Sequence, residues 1–107
     1  MTGGRPFDVA VTEQAEGVVV KVAGEVDIVT APVLQRHLDA ALATHRPSVV
    51  LDLAETTFLD ARGVGVIVAA RKTAGRDGTR FVIRRPPPLV RRVLELAEQV
   101  DRIPIED

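Results

Sequence analysis

The sequence predicts an α/β fold, with a mixed and mostly parallel sheet of four to five strands and helices packed against it. Three observations carry this prediction. Apolar and polar residues alternate near the start of the chain, which is typical of a half-buried strand. A short, nearly continuous apolar run follows in the middle of the chain. Segments with apolar residues at helical spacing separate the strands, and this alternation favours parallel pairing, apart from an antiparallel hairpin formed by the first two strands.

The first two predicted strands are close enough in sequence to form that hairpin. Phe7, Val9 and Val11 alternate with polar or small residues, so the first strand is expected to bury one face at an edge of the sheet. The run Val18–Val22 is rich in β-branched residues and predicts a second strand, antiparallel to the first. Gly24 is expected to end it.

The first predicted helix begins after Thr30, whose side-chain oxygen can cap the helix, and Pro32 is tolerated in the first turn. Pro47 breaks the helix. The face expected to pack on the sheet consists of Leu34, Leu38, Ala41 and Leu42. The face expected to contact water contains Gln35, Arg36 and Asp39.

A central strand and a second helix follow. Val49–Leu53 predicts a strand covered on both faces, in which Asp52 is the exception. From Gly63 onward, apolar residues surround the predicted second helix almost completely, so it is expected to be well buried. Gly75 or Gly78 can end this helix.

The last third of the chain repeats the pattern. Phe81–Ile83 predicts another strand, and Pro86–Pro88 leads into a third helix that carries Val90, Val93, Leu94 and Ala97 at helical spacing. A short strand at Ile103–Ile105 is expected to close the sheet. The 107 residues, 1–107, fit a single domain.

The composition excludes several classes of protein. Without cysteine, the chain has neither disulfides nor cysteine-bound metals. The 14 basic and 15 acidic residues nearly cancel, and only three aromatic residues, all Phe, are present, so direct nucleic-acid binding is not expected. No signal peptide and no apolar run long enough to span a bilayer are recognised, so no membrane insertion is expected. The protein is expected to be cytoplasmic.

The search for catalytic and cofactor-binding motifs yields little. His37 and His45 lack a second pair of ligands at metal-binding spacing. Ser48 is the only serine and is not part of a nucleophile elbow. Gly63 and Gly65 match only part of a dinucleotide-binding loop. No catalytic residue, metal or cofactor is therefore predicted, and the protein is not expected to be an enzyme.

Two predicted loops combine polar residues with a position at the carboxyl ends of strands, where α/β proteins often bind their ligands and partners. The first loop is Gly24–Thr30 and the second is Glu55–Gly63. An alternative with no function attached is that Thr30 and Asp60 only cap helices, each contributing about 1 kcal/mol.

The same two segments carry a family resemblance. They read Gly24-Glu25-Val26-Asp27 followed by Thr30-Ala31, and Phe58-Leu59-Asp60-Ala61-Arg62-Gly63-Val64-Gly65-Val66. This resembles the STAS family, whose signature pairs G-E-L-D…T-A with a later hydrophobic-D-S-S-G-L-G-V segment. The resemblance implies the STAS fold and a role in partner switching. In that scheme an unphosphorylated antagonist binds an anti-sigma factor kinase and frees the sigma factor, and phosphorylation of a serine in the second segment breaks the complex.

The sequence departs from that signature at the phosphorylated position. Ala61 and Arg62 occupy the places of the two serines, and Arg62 replaces the one that is usually phosphorylated. Arginine has no hydroxyl and carries a positive charge, so it neither accepts a phosphate nor imitates one. Thr56 and Thr57 are left as alternative phosphate acceptors.

Arg62 also stands near a helix N-terminus, where the macrodipole disfavours a cation by about 0.3–1 kcal/mol. One interpretation is that Arg62 points into water or pairs with Asp60 or Glu55. The other is that Arg62 recognises an acidic or carbonyl-lined patch on a partner.

The leading prediction is an anti-sigma factor antagonist without the usual serine switch, whose partner is an anti-sigma factor or a serine kinase-like protein. The predicted partner-binding residues are Asp27, Thr30, Asp60, Ala61, Arg62, Gly63 and Val64. Two alternatives stay open: a scaffold subunit of a signalling or membrane-transport assembly, and a sensor of a small ligand or nucleotide. Homodimer formation through the edge strand is also left open.

Overall fold

The computed structural model describes residues 5–97 and 103–107, which form five strands and three helices. In chain order they are β1 (Asp8–Gln14), β2 (Gly17–Val26), α1 (Ala31–Ala43), β3 (Ser48–Leu59), α2 (Ala61–Asp77), β4 (Arg80–Arg84), α3 (Pro88–Leu96) and β5 (Ile105–Glu106). The strands form one sheet in the order β1-β2-β3-β4-β5. Only β1 and β2 are antiparallel, and the other neighbours are parallel. The predicted mixed sheet with an N-terminal hairpin is confirmed.

The core lies where helices cover the sheet. Alternate residues of the three central strands are buried, as expected for side chains that point to one face. They include Val18, Val20, Val22, Val49, Leu51, Phe81 and Ile83. The predicted inner face of α1 is buried with them, and the predicted outer face is exposed. Helix α2 adds Ile67, Ala70 and Ala74, and α3 adds Val90 and Leu94.

The hairpin strand β1 is less buried than its alternation predicts. It lies at the edge of the sheet and has β2 as its neighbour. Phe7 and Val9 are partly buried against the core, but Val11 is 45% exposed. Only the beginning of the strand therefore contributes to the core, and the expected buried face is confirmed only there.

Strands β2 and β3 extend further than the sequence indicated. Gly24 does not end β2, because it adopts φ +85° at an irregularity in the ladder and pairing resumes beyond it. Added pairs join Glu25 to Phe58 and Val26 to Leu59. The predicted loop Glu55–Gly63 is therefore wrong over Glu55–Leu59, because the backbone groups of this segment are used in the ladder with β2.

Helix α2 begins at Ala61, two residues before the predicted start, and ends at Asp77, where Gly78 caps it in the left-handed conformation with φ 72°. Gly75 lies inside the helix. The expectation of a well-buried helix is wrong. Val64, Val66 and Val68 are only half-buried and Ala69 is exposed, because one face of α2 packs against α1 and the sheet while the opposite face borders solvent.

Asp52, the charged exception in the apolar run of β3, is 2% exposed, and both of its carboxylate oxygens are hydrogen-bonded. Its Oδ2 accepts a hydrogen bond of 2.6 Å from the Arg85 guanidinium, and its Oδ1 accepts one of 3.0 Å from the backbone N–H of Ala54. These bonds lie beside the irregularity where the ladder between β2 and β3 shifts register. A buried carboxylate is tolerated here because it is paired and hydrogen-bonded.

The third helix is confirmed at Pro88–Leu96, and Val93 and Ala97 pack partly buried against the core. The closing strand is confirmed, but it begins at Ile105, two residues later than predicted. Ile103 is buried just before it.

Candidate functional site

The turn between β2 and α1 is closed by its own hydrogen bonds. Asp27 Oδ1 accepts from the backbone N–H groups of Val29 (2.9 Å) and Thr30 (3.1 Å) and lies 3.2 Å from the Thr30 hydroxyl. That hydroxyl accepts from the Asp27 N–H at 2.9 Å and donates to the Glu25 carbonyl at 2.8 Å. Thr30 thus makes no side-chain cap, and the predicted cap is wrong. Its own backbone is already helical (φ −92°, ψ −22°), and its hydroxyl is bonded back into the turn.

These contacts also set the charge state of the turn. Hydrogen bonds from the backbone of Thr30 and then Val29 hold the pKa of the Asp27 carboxyl below its usual range, despite partial burial. The Asp27 carboxylate is therefore ionised at neutral pH and is half-exposed. Among the residues that the structure describes, no donor contacts its second oxygen, Oδ2.

The turn between β3 and α2 is built around Asp60. Its Oδ1 accepts from the backbone N–H groups of Arg62 (2.9 Å) and Gly63 (3.2 Å), so the predicted helix cap at Asp60 is confirmed. The Asp60 N–H donates to the Val26 carbonyl at 3.2 Å. This bond ties the two turns together at the carboxyl edge of the sheet.

Gly63 allows α2 to approach the sheet closely. A Cβ atom at this position would stand 2.3 Å from Leu59 Cδ1 and 2.8 Å from Val26 Cγ1. Gly63 is buried as a result, so this member of the predicted partner-binding set lies beneath the surface. Val64 is half-buried, whereas Ala61 and Arg62 are exposed.

Arg62 makes no ion pair with the acidic groups that the sequence suggested. The Asp60 carboxylate is used as the cap, and Glu55 pairs with Arg5 at 2.7 Å and Lys21 at 3.0 Å. The hydrogen bond from Lys21 and the charge of Arg5 lower the pKa of Glu55. The Arg62 side chain instead lines a cavity of about 240 Å³ between α1 and α2, with Ile28, Ala31, Pro32, Gln35, Gly65, Val66 and Ala69.

The two threonines proposed as phosphate acceptors have different environments. Thr56 is 1% exposed, and its hydroxyl donates to the Val22 carbonyl at 2.9 Å. Thr56 is therefore not presented to a kinase in this fold, because it is part of the extended β3 ladder. Thr57, the next residue in the strand, is exposed.

Three exposed apolar residues at this edge were missed in the sequence. Ile28 and Val29, in the turn after β2, are 59% and 75% exposed, and Phe58 near the end of β3 is 47% exposed. The signal was present, because large apolar side chains stand in segments predicted to be loops. They surround the polar turns with an apolar surface.

Other groups that the sequence singled out lie apart from this edge. His37 Nδ1 contacts the Val33 carbonyl of its own helix at 2.9 Å, and His45 follows α1 with φ 55°. No group of three or more His, Cys, Asp or Glu residues within 5–97 and 103–107 could hold a metal ion. Over the same residues, no helix is both long and apolar enough to cross a membrane.

Comparisons with known proteins agree with this architecture. The family model described as "Mlab, STAS domain" matches residues 9–102. An anti-sigma F factor antagonist from Paenibacillus polymyxa is 29% identical over 90 residues, which are 83% of this chain and 77% of that protein.

Among solved structures, an anti-sigma factor antagonist from Mycobacterium paratuberculosis superimposes with a TM-score of 0.85 at 29% identity, covering 94% of this chain and 86% of that one. The Bacillus cell fate determinant SpoIIAA in its phosphorylated form shares the fold, with a TM-score of 0.73 at 17% identity over 95% of this chain and 91% of that one. The family model matches most of this chain, so the chain belongs to the STAS domain family.

Proposed function

We propose that the protein is an anti-sigma factor antagonist, which binds an anti-sigma factor or a related serine kinase-like protein and so regulates transcription indirectly. The proposal is supported by relatives of two kinds, one similar in sequence and one in structure, which are both named anti-sigma factor antagonists. The proposed function would be carried out in the cytoplasm, and it needs no catalysis and no cofactor.

The proposed contact area is the carboxyl edge of the sheet, called here the antagonist surface. Its exposed or half-exposed members are Asp27, Ile28, Val29, Thr30, Phe58, Asp60, Ala61, Arg62 and Val64. Apolar residues around a few charged groups are the composition expected of a protein interface. The partner would be displaced from its sigma factor by competition, so affinity and relative concentration set the response.

Arg62 is the observation that carries the proposal. It is exposed and forms no ion pair with any residue that the structure describes. The positive end of the α2 macrodipole disfavours a cation there by about 0.3–1 kcal/mol. A guanidinium held at this position suits recognition of a carboxylate or of carbonyl groups on a partner.

The proposed antagonist lacks the serine switch at position 62, and Thr57 is the threonine of the pair with an exposed side chain. A kinase assay separates two forms of regulation. Incubation with the cognate kinase and labelled ATP is expected to leave the protein unlabelled. Label that disappears in a Thr57→Val variant would place the switch at Thr57 and contradict the unswitched mechanism.

Affinity capture from the native extract, followed by titration, tests the function. The expected captured protein is an anti-sigma factor with a kinase-like fold. Arg62→Ala should weaken its binding by about 1 kcal/mol or more, roughly fivefold, whereas Arg36→Ala on the exposed face of α1 should not. Capture of transport or scaffold components alone would favour the scaffold alternative, and equal affinity of the two variants would remove Arg62 from the interface.

A further inference from the structure

A second charged surface lies at the other end of α2, away from the antagonist surface. A cleft of about 660 Å³ between the second half of α2 and the start of β4 is lined by Arg71, Lys72, Gly75, Arg76, Thr79 and Arg80. These six residues define the basic cleft. Its floor is apolar and includes Phe81, which is buried.

The basic residues converge on the cleft by helix geometry. At 3.6 residues per turn, Arg71, Lys72 and Arg76 share one side of α2 with Gly75, and Asp77 is turned about 170° from the middle of that side. Arg80 joins them from β4. Because the whole chain has a formal charge of −1, this concentration of cations does not follow from a basic composition.

Within residues 5–97 and 103–107, neighbouring groups neutralise these cations only weakly. Arg80 lies 3.7 Å from the Glu106 carboxylate, which also pairs with Arg84 at 3.5 Å. Arg76 donates a hydrogen bond of 3.3 Å to the Thr73 hydroxyl. The helix macrodipole favours cations in the last turn of α2, but Arg76 is the one basic residue there. The macrodipole therefore does not account for Arg71 and Lys72, which lie earlier in the helix, or for Arg80 in β4.

Gly75 lies inside α2 among the residues that line the basic cleft. A glycine inside a helix is less favourable than alanine by about 0.5–1 kcal/mol, so a packing reason is normally expected. A Cβ atom at Gly75 would meet nothing within 4 Å. Gly75 thus has no packing role in the fold, which is also true of Gly65 in the same helix, and its missing side chain leaves space beside the cations of the basic cleft.

We propose that the basic cleft binds a small molecule that carries at least two phosphate groups. A guanidinium group can donate two parallel hydrogen bonds to the oxygens of one phosphate, and the Thr79 hydroxyl supplies a further donor. The volume lies within the range of about 300–1,000 Å³ found for small-molecule sites. An apolar floor beside the cations suits the organic part of such a molecule. The site is separate from the antagonist surface, and it does not depend on the function proposed for that surface.

Calorimetric titration of the whole chain with inorganic triphosphate tests the charge requirement. The double variant Arg71→Gln/Arg76→Gln is expected to bind at least about tenfold more weakly, because the loss of a single charge-assisted hydrogen bond already has an effect of that size. Arg36→Gln/Arg92→Gln removes the same charge from exposed positions on α1 and α3 and should bind like the unmodified protein. No saturable binding, or equal weakening in both variants, would overturn the proposal.

Two further arms keep the result specific. Citrate, a carboxylate trianion, should bind more weakly than triphosphate, and equal binding would contradict a phosphate site. Gly75→Leu fills the cleft mouth without changing charge and should reduce triphosphate binding. Gly65→Leu makes the same change at another helical glycine with open space around it and should not. If both leucine variants bind normally, the ligand does not occupy this cleft.

Discussion

The two turns at the carboxyl edge of the sheet use their acidic residues in the same way but differ in what they present to solvent. In each turn one carboxylate oxygen accepts two backbone N–H groups, at Asp27 before α1 and at Asp60 before α2. The first turn also uses the Thr30 hydroxyl as both acceptor and donor. The second has Arg62, whose guanidinium forms no hydrogen bond or ion pair with the part of the chain that the structure describes. One turn is thus closed on itself, and the other leaves a charged group available for binding.

The difference teaches that two turns built alike around an aspartate can use their other polar residue for different purposes. Removal of Thr30 is expected to act through folding, because its contacts lie within the turn. Removal of Arg62 is expected to act through binding, because its guanidinium forms no hydrogen bond or ion pair with the residues that the structure describes. Four predictions test how the two turns are held, beginning with Gly63, where α2 approaches Leu59 and Val26.

The largest effect is expected at Gly63. Gly63→Ala places a Cβ atom 2.3 Å from Leu59 Cδ1 and 2.8 Å from Val26 Cγ1, so these two buried side chains or the helix must shift. Overpacking of this kind lowers the free energy of unfolding by about 1–3 kcal/mol. Chemical denaturation measures the loss. Gly65→Ala is the matched control, because its Cβ meets nothing within 4 Å and it should gain up to about 1 kcal/mol. Equal stability of the two variants would contradict the close approach at Gly63.

The closed turn should be sensitive to loss of one hydroxyl. Thr30→Val keeps the shape of the side chain but removes the acceptor for the Asp27 N–H and the donor to the Glu25 carbonyl. Two lost hydrogen bonds are expected to reduce the free energy of unfolding by about 1–2 kcal/mol in thermal or urea denaturation. Thr30→Ser, which keeps the hydroxyl, should lose less. If valine and serine are equally stable, the hydroxyl does not hold the turn.

Much of this architecture was predictable because the apolar residues that become buried recur at regular intervals in the sequence. The inner face of α1 follows the helical period from Leu34 to Leu42, and the buried positions of β2 follow the period of two. Such patterns report which side of an element faces the core. The cap at Asp60 was also predictable, because the hydrogen bonds of a helix cap are local in sequence.

The errors arose where distant backbone contacts decided the result. Glu55–Leu59 looked like a polar loop, but its backbone pairs with the end of β2, about 30 residues earlier, and this pairing also buries Thr56. The exposure of α2 depends on how much of it α1 covers, which the apolar content of α2 alone does not reveal. The exposure of Ile28, Val29 and Phe58 likewise follows from the meeting of two strand ends.

A smaller effect is expected at the cap of the second turn. Asp60→Ala removes the acceptor for the Arg62 and Gly63 N–H groups and should lower the free energy of unfolding by about 1 kcal/mol. Asp60→Asn, which retains a cap oxygen, is expected to stay close to the unmodified protein. A loss in asparagine as large as in alanine would show that the charge of Asp60, and not its capping oxygen, matters there.

The smallest effect is a dependence on pH in the first turn. The folded state lowers the pKa of Asp27 from its reference value of 3.8, so the ionised carboxylate stabilises the fold above that value, and this contribution disappears as pH falls through the folded pKa. Unfolding curves below about pH 4 should therefore show a smaller loss in Asp27→Asn than in the unmodified protein.

Glu55→Gln provides the contrast to Asp27→Asn. The pKa of Glu55 is lowered by Lys21 and Arg5, which form salt bridges with it at the surface. Added salt should weaken the acid sensitivity that Glu55 contributes and leave that of Asp27 largely unchanged, since backbone hydrogen bonds are less screened than exposed ion pairs. If salt removes both contributions equally, the carboxylate of Asp27 responds to nearby charge, and the first turn is not closed by its own hydrogen bonds.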